Sequence, residues 1–355
     1  MTATLAPAGS PHFNRELAST LESLGRAMRA RFGPSLVALV LGGGYGRGEG
    51  AVRHVDGRER AYNDLDLFAV STARTLSGVD EVCRPFAERL GVHVDVGRPL
   101  RVEEIRRWSP ALMWYDLVHG HRVVVGDAGI LRDNVPGRVR RELPAHEAVR
   151  LLLNRGMGLL WALRVAHGVA PAPEGDADFV RRNAFKTMLA LGDAPLIAHG
   201  RYVSAAAGRG SRFVHLSREH APVAALGVEA AFMRALRFKV DPDRFAGPVG
   251  REALGDLALA WERVLLYVDG VRAGAAWRDL DGFCSARPCR EPGAGHWTRW
   301  PANAARNLSS GRLSVTHPRE RLYRELPRLL AGAGAPTAGW AAASADALSR
   351  WRRFQ

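Results

Sequence analysis

Apolar residues between 13 and 32 recur at helical spacing (Phe13, Leu17, Leu21, Leu24, Met28, Phe32), which predicts an amphipathic helix stopped by Gly33-Pro34. The uninterrupted apolar run "SLVALVL" at 35–41 predicts a buried strand. "AVRHVDGRERAYN" is polar and irregular and reads as a loop or short hairpin. "DLDLFAV" at 64–70 and "VHVDVG" at 92–97 alternate polar and apolar positions, the period of a strand with one buried face. A helix is predicted over 78–90 and another over 110–119, followed by a strand "RVVVG" at 122–126.

Past residue 145 the period changes. Segments 146–168, 176–200, 217–239 and 251–273 are helical in pattern, with Gly, Pro and Asp between them. From 276 onward the chain is rich in Trp, Arg and Pro and ends in the helical "PRERLYRELPRLLAG". The expected fold is α+β: a small mixed sheet followed by a helical bundle. The expected domains are an N-terminal helix at 1–34, a sheet domain at 35–135, a helical domain at 145–275 and a helical extension at 276–355. The stretch "VPGRVRRELP" at 135–144 serves as the main boundary.

Between the first strand and the hairpin lies "GGGYGRGEG", with glycines alternating at 44, 46, 48 and 50 around Arg47. No register supplies the G-x-G-x-x-G dinucleotide fingerprint, and no lysine follows to make a Walker A loop. A strand, a glycine turn and a helix start remain. That arrangement aims backbone N–H groups and a helix dipole at an anion, or else is a tight turn with no ligand.

Asp64 and Asp66 stand two apart on one predicted strand, so both project from the same face. Crowded carboxylates repel unless a proton or cation lies between them, and hard oxygen donors of this kind suit Mg²⁺. Asp95, on the second alternating strand, shares a face with His93. If the two strands are neighbours, three carboxylates converge near the glycine turn. Glu49 and Asp56 are further acids that no spacing singles out.

Together, "LGGGYGRGE", "NDLDLFAV" and "VHVDV" resemble the signature of the DNA polymerase β-like nucleotidyltransferase superfamily: a hydrophobic-Gly-Gly/Ser turn, Asp-h-Asp-h and a later lone Asp. The likeness covers residues 36–97. It implies a nucleotidyltransferase sheet domain in which Gly43 and Gly44, with Arg47 beside them, grip nucleotide phosphates. It further implies that Asp64 and Asp66 hold two Mg²⁺ ions and that Asp95 completes the metal site facing an acceptor hydroxyl. Relatives often add a basic residue from the helical domain to hold the triphosphate, a role Lys186 could fill; a solvated lysine is the other reading, and Arg182 lies one turn before it. Two departures stand out. Gly44 replaces the frequent Ser, and the 19-residue spacer between Gly44 and Asp64 is longer than usual.

The implied activity is transfer of a nucleoside monophosphate from an NTP, ATP being the commonest donor, to a hydroxyl. A small aminoglycoside-like or sugar-like acceptor is favoured over RNA because no RNA-binding module is recognised. Transfer to a protein side chain and a non-catalytic nucleotide- or RNA-binding protein are the alternatives. A DNA-binding regulator would need a helix-turn-helix, for which 299–325 is the nearest segment.

Composition changes the picture in three places. The net charge is +14, yet only two of the 50 basic residues, Lys186 and Lys239, are lysines. The arginine surplus attracts polyanions but is scattered rather than gathered in one tract. Three cysteines (Cys83, Cys284, Cys289) are too few for a disulfide scaffold and fit a reducing, cytoplasmic setting. Cys284, Cys289 and His296 offer zinc three ligands and no clear fourth. No apolar run nears the roughly 20 residues of a membrane span, and "MTATLAPAGSPHFNREL" lacks the pattern of a signal peptide.

Overall fold

The computed structural model describes residues 4–173, 178–286, 297–309 and 313–353. The chain divides into two compact units. The first holds Met1–Leu143 and two later pieces, Val203–Gly208 and Leu236–Ala246; the second holds Pro144–Tyr202, Arg209–Ala235 and Gly247–Gln355. The fold is mixed α+β, with a small mixed sheet and many helices.

In the first unit, helix α1 (Pro11–Phe32) starts at Ser10, whose hydroxyl accepts from the Phe13 N–H, and ends at Gly33. Strand β1 (Leu36–Leu41) leads into the single turn α2 (Gly43–Gly46). Strands β2 (Val52–Val55) and β3 (Arg58–Ala61) form a hairpin. Its two turn residues, Asp56 and Gly57, have φ of 51° and 73°. An Asp-Gly pair tolerates positive φ, and such turns match the twist of paired strands. The polar segment is therefore a hairpin rather than an open loop.

Then come β4 (Leu65–Ser71), α3 (Val79–Leu90), β5 (Val94–Val96), α4 (Val102–Ile105), α5 (Leu112–His119), β6 (Arg122–Gly126), α6 (Ile130–Asn134) and α7 (Gly137–Arg141). The sheet order is β5-β4-β1-β6. β1 pairs antiparallel with β4 and β6, while β4 and β5 run parallel. Alternation sends Leu65, Leu67 and Ala69 of β4 into one core with α1 and α3. Phe68 and Val70 go to the opposite core, with Leu100, Ile105, Trp108 and Leu117. Asp66 shares this second face with Phe68 by the same period of two.

The second unit is built from helices. α8 (His146–Ala166), α9 (Phe179–Ala198), α13 (Arg251–Ala273), α16 (Pro318–Ala331) and α17 (Ala338–Arg353) supply its longest packed elements. Trp261 is fully buried, and its indole N–H donates to the Leu152 carbonyl at 2.8 Å. The expected single helix at 217–239 is broken into α10 (Ala206–Glu219), α11 (Ala221–Ala224) and α12 (Glu229–Val240). Pro222 cannot continue the ladder of α10, and Gly227, at φ 67°, turns the chain into α12. The smaller α14 (Leu280–Ser285) and α15 (Trp300–Leu308) complete this unit. No helix of the described residues is long and apolar enough to cross a membrane.

Candidate functional site

Everything that positions the site begins at the end of β1. The Gly42 N–H donates to the Asp66 carbonyl at 2.8 Å, so the chain leaves β1 still tied to β4. Gly43 then turns left-handed, at φ 61°. A Cβ there would collide with the Asp66 carboxylate, so only glycine lets that side chain lie over the turn. The N–H groups of Gly46, Arg47 and Glu49 donate to the carbonyls of Gly42, Gly43 and Gly44. Those of Gly43, Gly44 and Tyr45 open α2 and make no backbone hydrogen bond among the described residues, as first-turn donors do not.

The other glycines serve packing. A side chain at Gly50 would enter the ring of Tyr45, which is buried. The Tyr45 hydroxyl donates to the Ala51 carbonyl at 2.7 Å and accepts from the Tyr62 N–H at 3.1 Å. Burial, with a further contribution from the charge of Asp64, pushes this phenol up to about 12. Tyr45 is therefore a neutral pin that fixes the turn to the hairpin.

Asp66 on β4 and Asp95 on β5 are register partners in the parallel ladder. Side chains at such positions emerge side by side from one face. Both residues are exposed, and Asp64 is exposed just ahead of β4. The structure thus brings together Gly43, Asp66 and Asp95, while Asp64 lies just outside the strand. Among the described residues, no group of three or more His, Cys, Asp or Glu side chains is placed to hold a metal ion, so the three aspartates do not by themselves enclose one. Mg²⁺, however, takes one or two carboxylates and completes its shell with waters and substrate phosphates. Asp66 and Asp95 fit that donor chemistry.

Arg47, expected to grip phosphate, is held by contacts within the protein. Its guanidinium lies 3.3 Å from Glu49 and 3.8 Å from Asp116, it is mostly buried, and its stem occupies the space beside Gly120. Glu49, which no spacing marked, is the hub beneath the turn. It accepts from Lys239 Nζ at 2.8 Å and from the Ala206 N–H at 2.6 Å. Burial pushes its carboxyl up, but Lys239, the Ala206 N–H and Arg47 outweigh it and hold the group below its ordinary value.

Of the two lysines, then, Lys239 rather than Lys186 belongs to the glycine-turn unit. Lys186 is exposed on α9 in the second unit, one turn after Arg182. The only signal that could have found the Glu49–Lys239 pair is the rarity of lysine. Cys289 and His296 lie outside the described residues, while Cys284 is buried and its thiol donates to the Arg324 carbonyl. Trp297 and Trp300 are exposed at the start of the tail helices.

No protein-family model, curated protein or solved structure matches the chain.

Proposed function

We propose that this chain is a Mg²⁺-dependent nucleotidyltransferase that moves a nucleoside monophosphate from an NTP, ATP first among the donors to test, to a hydroxyl of a small-molecule acceptor. One observation carries the reading: two exposed aspartates stand in register on neighbouring strands, and one of them lies over Gly43, where a left-handed backbone and the Asp66 carboxylate both disfavour a side chain.

In this reaction the acceptor oxygen bonds to the α-phosphorus, the bond from that phosphorus to the pyrophosphate oxygen breaks, and the hydroxyl loses its proton. Asp64, Asp66 and Asp95 are the proposed metal ligands. Bound Mg²⁺ supplies neutralisation of the phosphate charge and acidification of the acceptor hydroxyl. The Gly43 and Gly44 N–H groups donate to phosphate oxygens, the use to which helix-start donors are suited. Asp95, facing the same edge, accepts the hydroxyl proton. Arg47 and Glu49 hold the turn from beneath and touch no reacting atom.

The test measures binding and turnover of each of the four NTPs, with and without Mg²⁺, beside an Asp64→Asn/Asp66→Asn variant. Mg²⁺-dependent binding of one NTP that weakens in the variant, with pyrophosphate release cut by roughly a hundredfold or more, is the expected result. An absence of NTP binding by the unaltered chain would overturn the reading.

A further inference from the structure

On the same sheet face as Asp66, the next residue along β4 is Phe68, about 7 Å further on at the usual strand rise. Its ring meets Trp114 edge to face, with centroids 6.2 Å apart. Trp114 is stacked on Trp108 at 3.8 Å, with the rings 8° from parallel. The two indoles, but not Phe68, wall a cavity of about 630 Å³ that Arg98, Arg101, Arg107, Glu103 and Glu104 also line. The volume is that of a small-molecule pocket. All of it lies within the first unit.

The charges are available to a ligand. Arg98 pairs with Glu104 at 3.0 Å and Arg101 with Glu103 at 3.6 Å, and these four side chains are all at least two-fifths exposed. Surface pairs of this kind are weak and exchange partners at little cost. Arg107 is exposed and forms no ion pair among the described residues. Three guanidinium groups against two carboxylates leave the cavity positive. Guanidinium forks match phosphate oxygens two at a time, and indoles pack against planar bases. A polycation such as an aminoglycoside is repelled by the same residues.

We propose that this cavity binds a nucleotide unit, its base against the Trp108–Trp114 wall and its phosphate on Arg101 and Arg107. A free nucleoside monophosphate and the terminal residue of a single-stranded RNA present the same chemistry. The unit's identity as the acceptor rests on the transferase reading above; its binding here does not.

The test is calorimetric titration, without Mg²⁺, of adenosine 5′-monophosphate and of a short single-stranded oligoadenylate. The unaltered chain is compared with Trp114→Ala, Arg107→Glu and Arg101→Glu, and with Arg89→Glu as an exposed control of equal charge change. About a tenfold or greater weakening in the three cavity variants, with the control within twofold, is expected. Because Arg101 and Arg107 lie at the surface, their variants give a readout even if Trp114→Ala fails to fold. Binding of the monophosphate assigns a free nucleotide, and binding of the oligonucleotide alone assigns an RNA end. No binding of either probe, or binding that the cavity variants leave unchanged, overturns the proposal. A chain that binds through this cavity but transfers nothing would remove only the acceptor role.

Discussion

At Gly43 two demands meet in one residue: a left-handed backbone at φ 61° and space for the Asp66 carboxylate. Gly43→Ala is expected to cost about 2 kcal/mol, since strain and collision act together. It should also displace Asp66 and abolish Mg²⁺-dependent NTP binding. Gly50→Ala provides the contrast. Its added methyl strikes the Tyr45 ring, so stability falls by about 1–3 kcal/mol, while NTP binding per folded molecule persists. Chemical denaturation and nucleotide titration of both variants check the pair of outcomes. Equal binding losses would show that the turn acts only as architecture. The glycine cluster was visible in the chain, but the division of labour among its members was not. Identical residues differ only in what their missing side chains would have met.

At the scale of elements, alternation predicts a strand at 64–70 with one buried face, and the strand formed begins one residue later, at Leu65, leaving Asp64 outside it. The strand's burial pattern agrees, with Leu65 and Leu67 buried and Asp66 exposed. Glu49 illustrates the opposite case. It lies in the glycine segment, yet its partners come from Ala206 at the start of α10 and Lys239 near the end of α12. Nothing local announces contacts across such separations. Glu49→Gln removes one side of a largely buried pair and should lower stability by about 2–3 kcal/mol at neutral pH. The sign with pH follows from the depressed carboxyl. Its contribution is full above the ordinary value of 4.5 and disappears as pH falls through the lower folded value. The deficit of the variant, read from melting temperatures, should therefore be large at pH 7 and shrink in acid. A deficit independent of pH would remove the ion pair as its cause.

The whole molecule is cut where its sequence changes character, between Leu143 and Pro144, but not only there. The glycine-turn unit draws in Val203–Gly208 and Leu236–Ala246, well past the change from sheet to helix near residue 145. Those pieces bring the Lys239 and Ala206 partners of Glu49. They also bring Phe238, whose ring meets Tyr62 at 5.9 Å, and Asp243, which binds His54 at 3.0 Å. A fragment of residues 1–143 should consequently melt without a cooperative transition or well below the full chain. Adding the peptide 203–246 should restore part of its stability. A fragment that melts like the full chain would show these returning pieces to be unnecessary. The mixed α+β class and the two-part order were legible because residue periodicity reports burial directly. The interrupted composition of the first unit was not, because short returning segments have no period of their own.

The sequence by itself determined what is local: the apolar faces of the helices and strands, and the alternation that leaves Asp66 and Asp95 exposed on theirs. Side-chain direction follows from backbone period, and period is written in neighbouring residues. Only the tertiary structure decided that β5 lies beside β4, setting Asp95 against Asp66. It also decided that Lys239 holds Glu49 and that Trp108, Trp114 and three arginines meet in one cavity. Those outcomes depend on which distant segments share a core, a balance of packing over the whole chain that no short stretch contains.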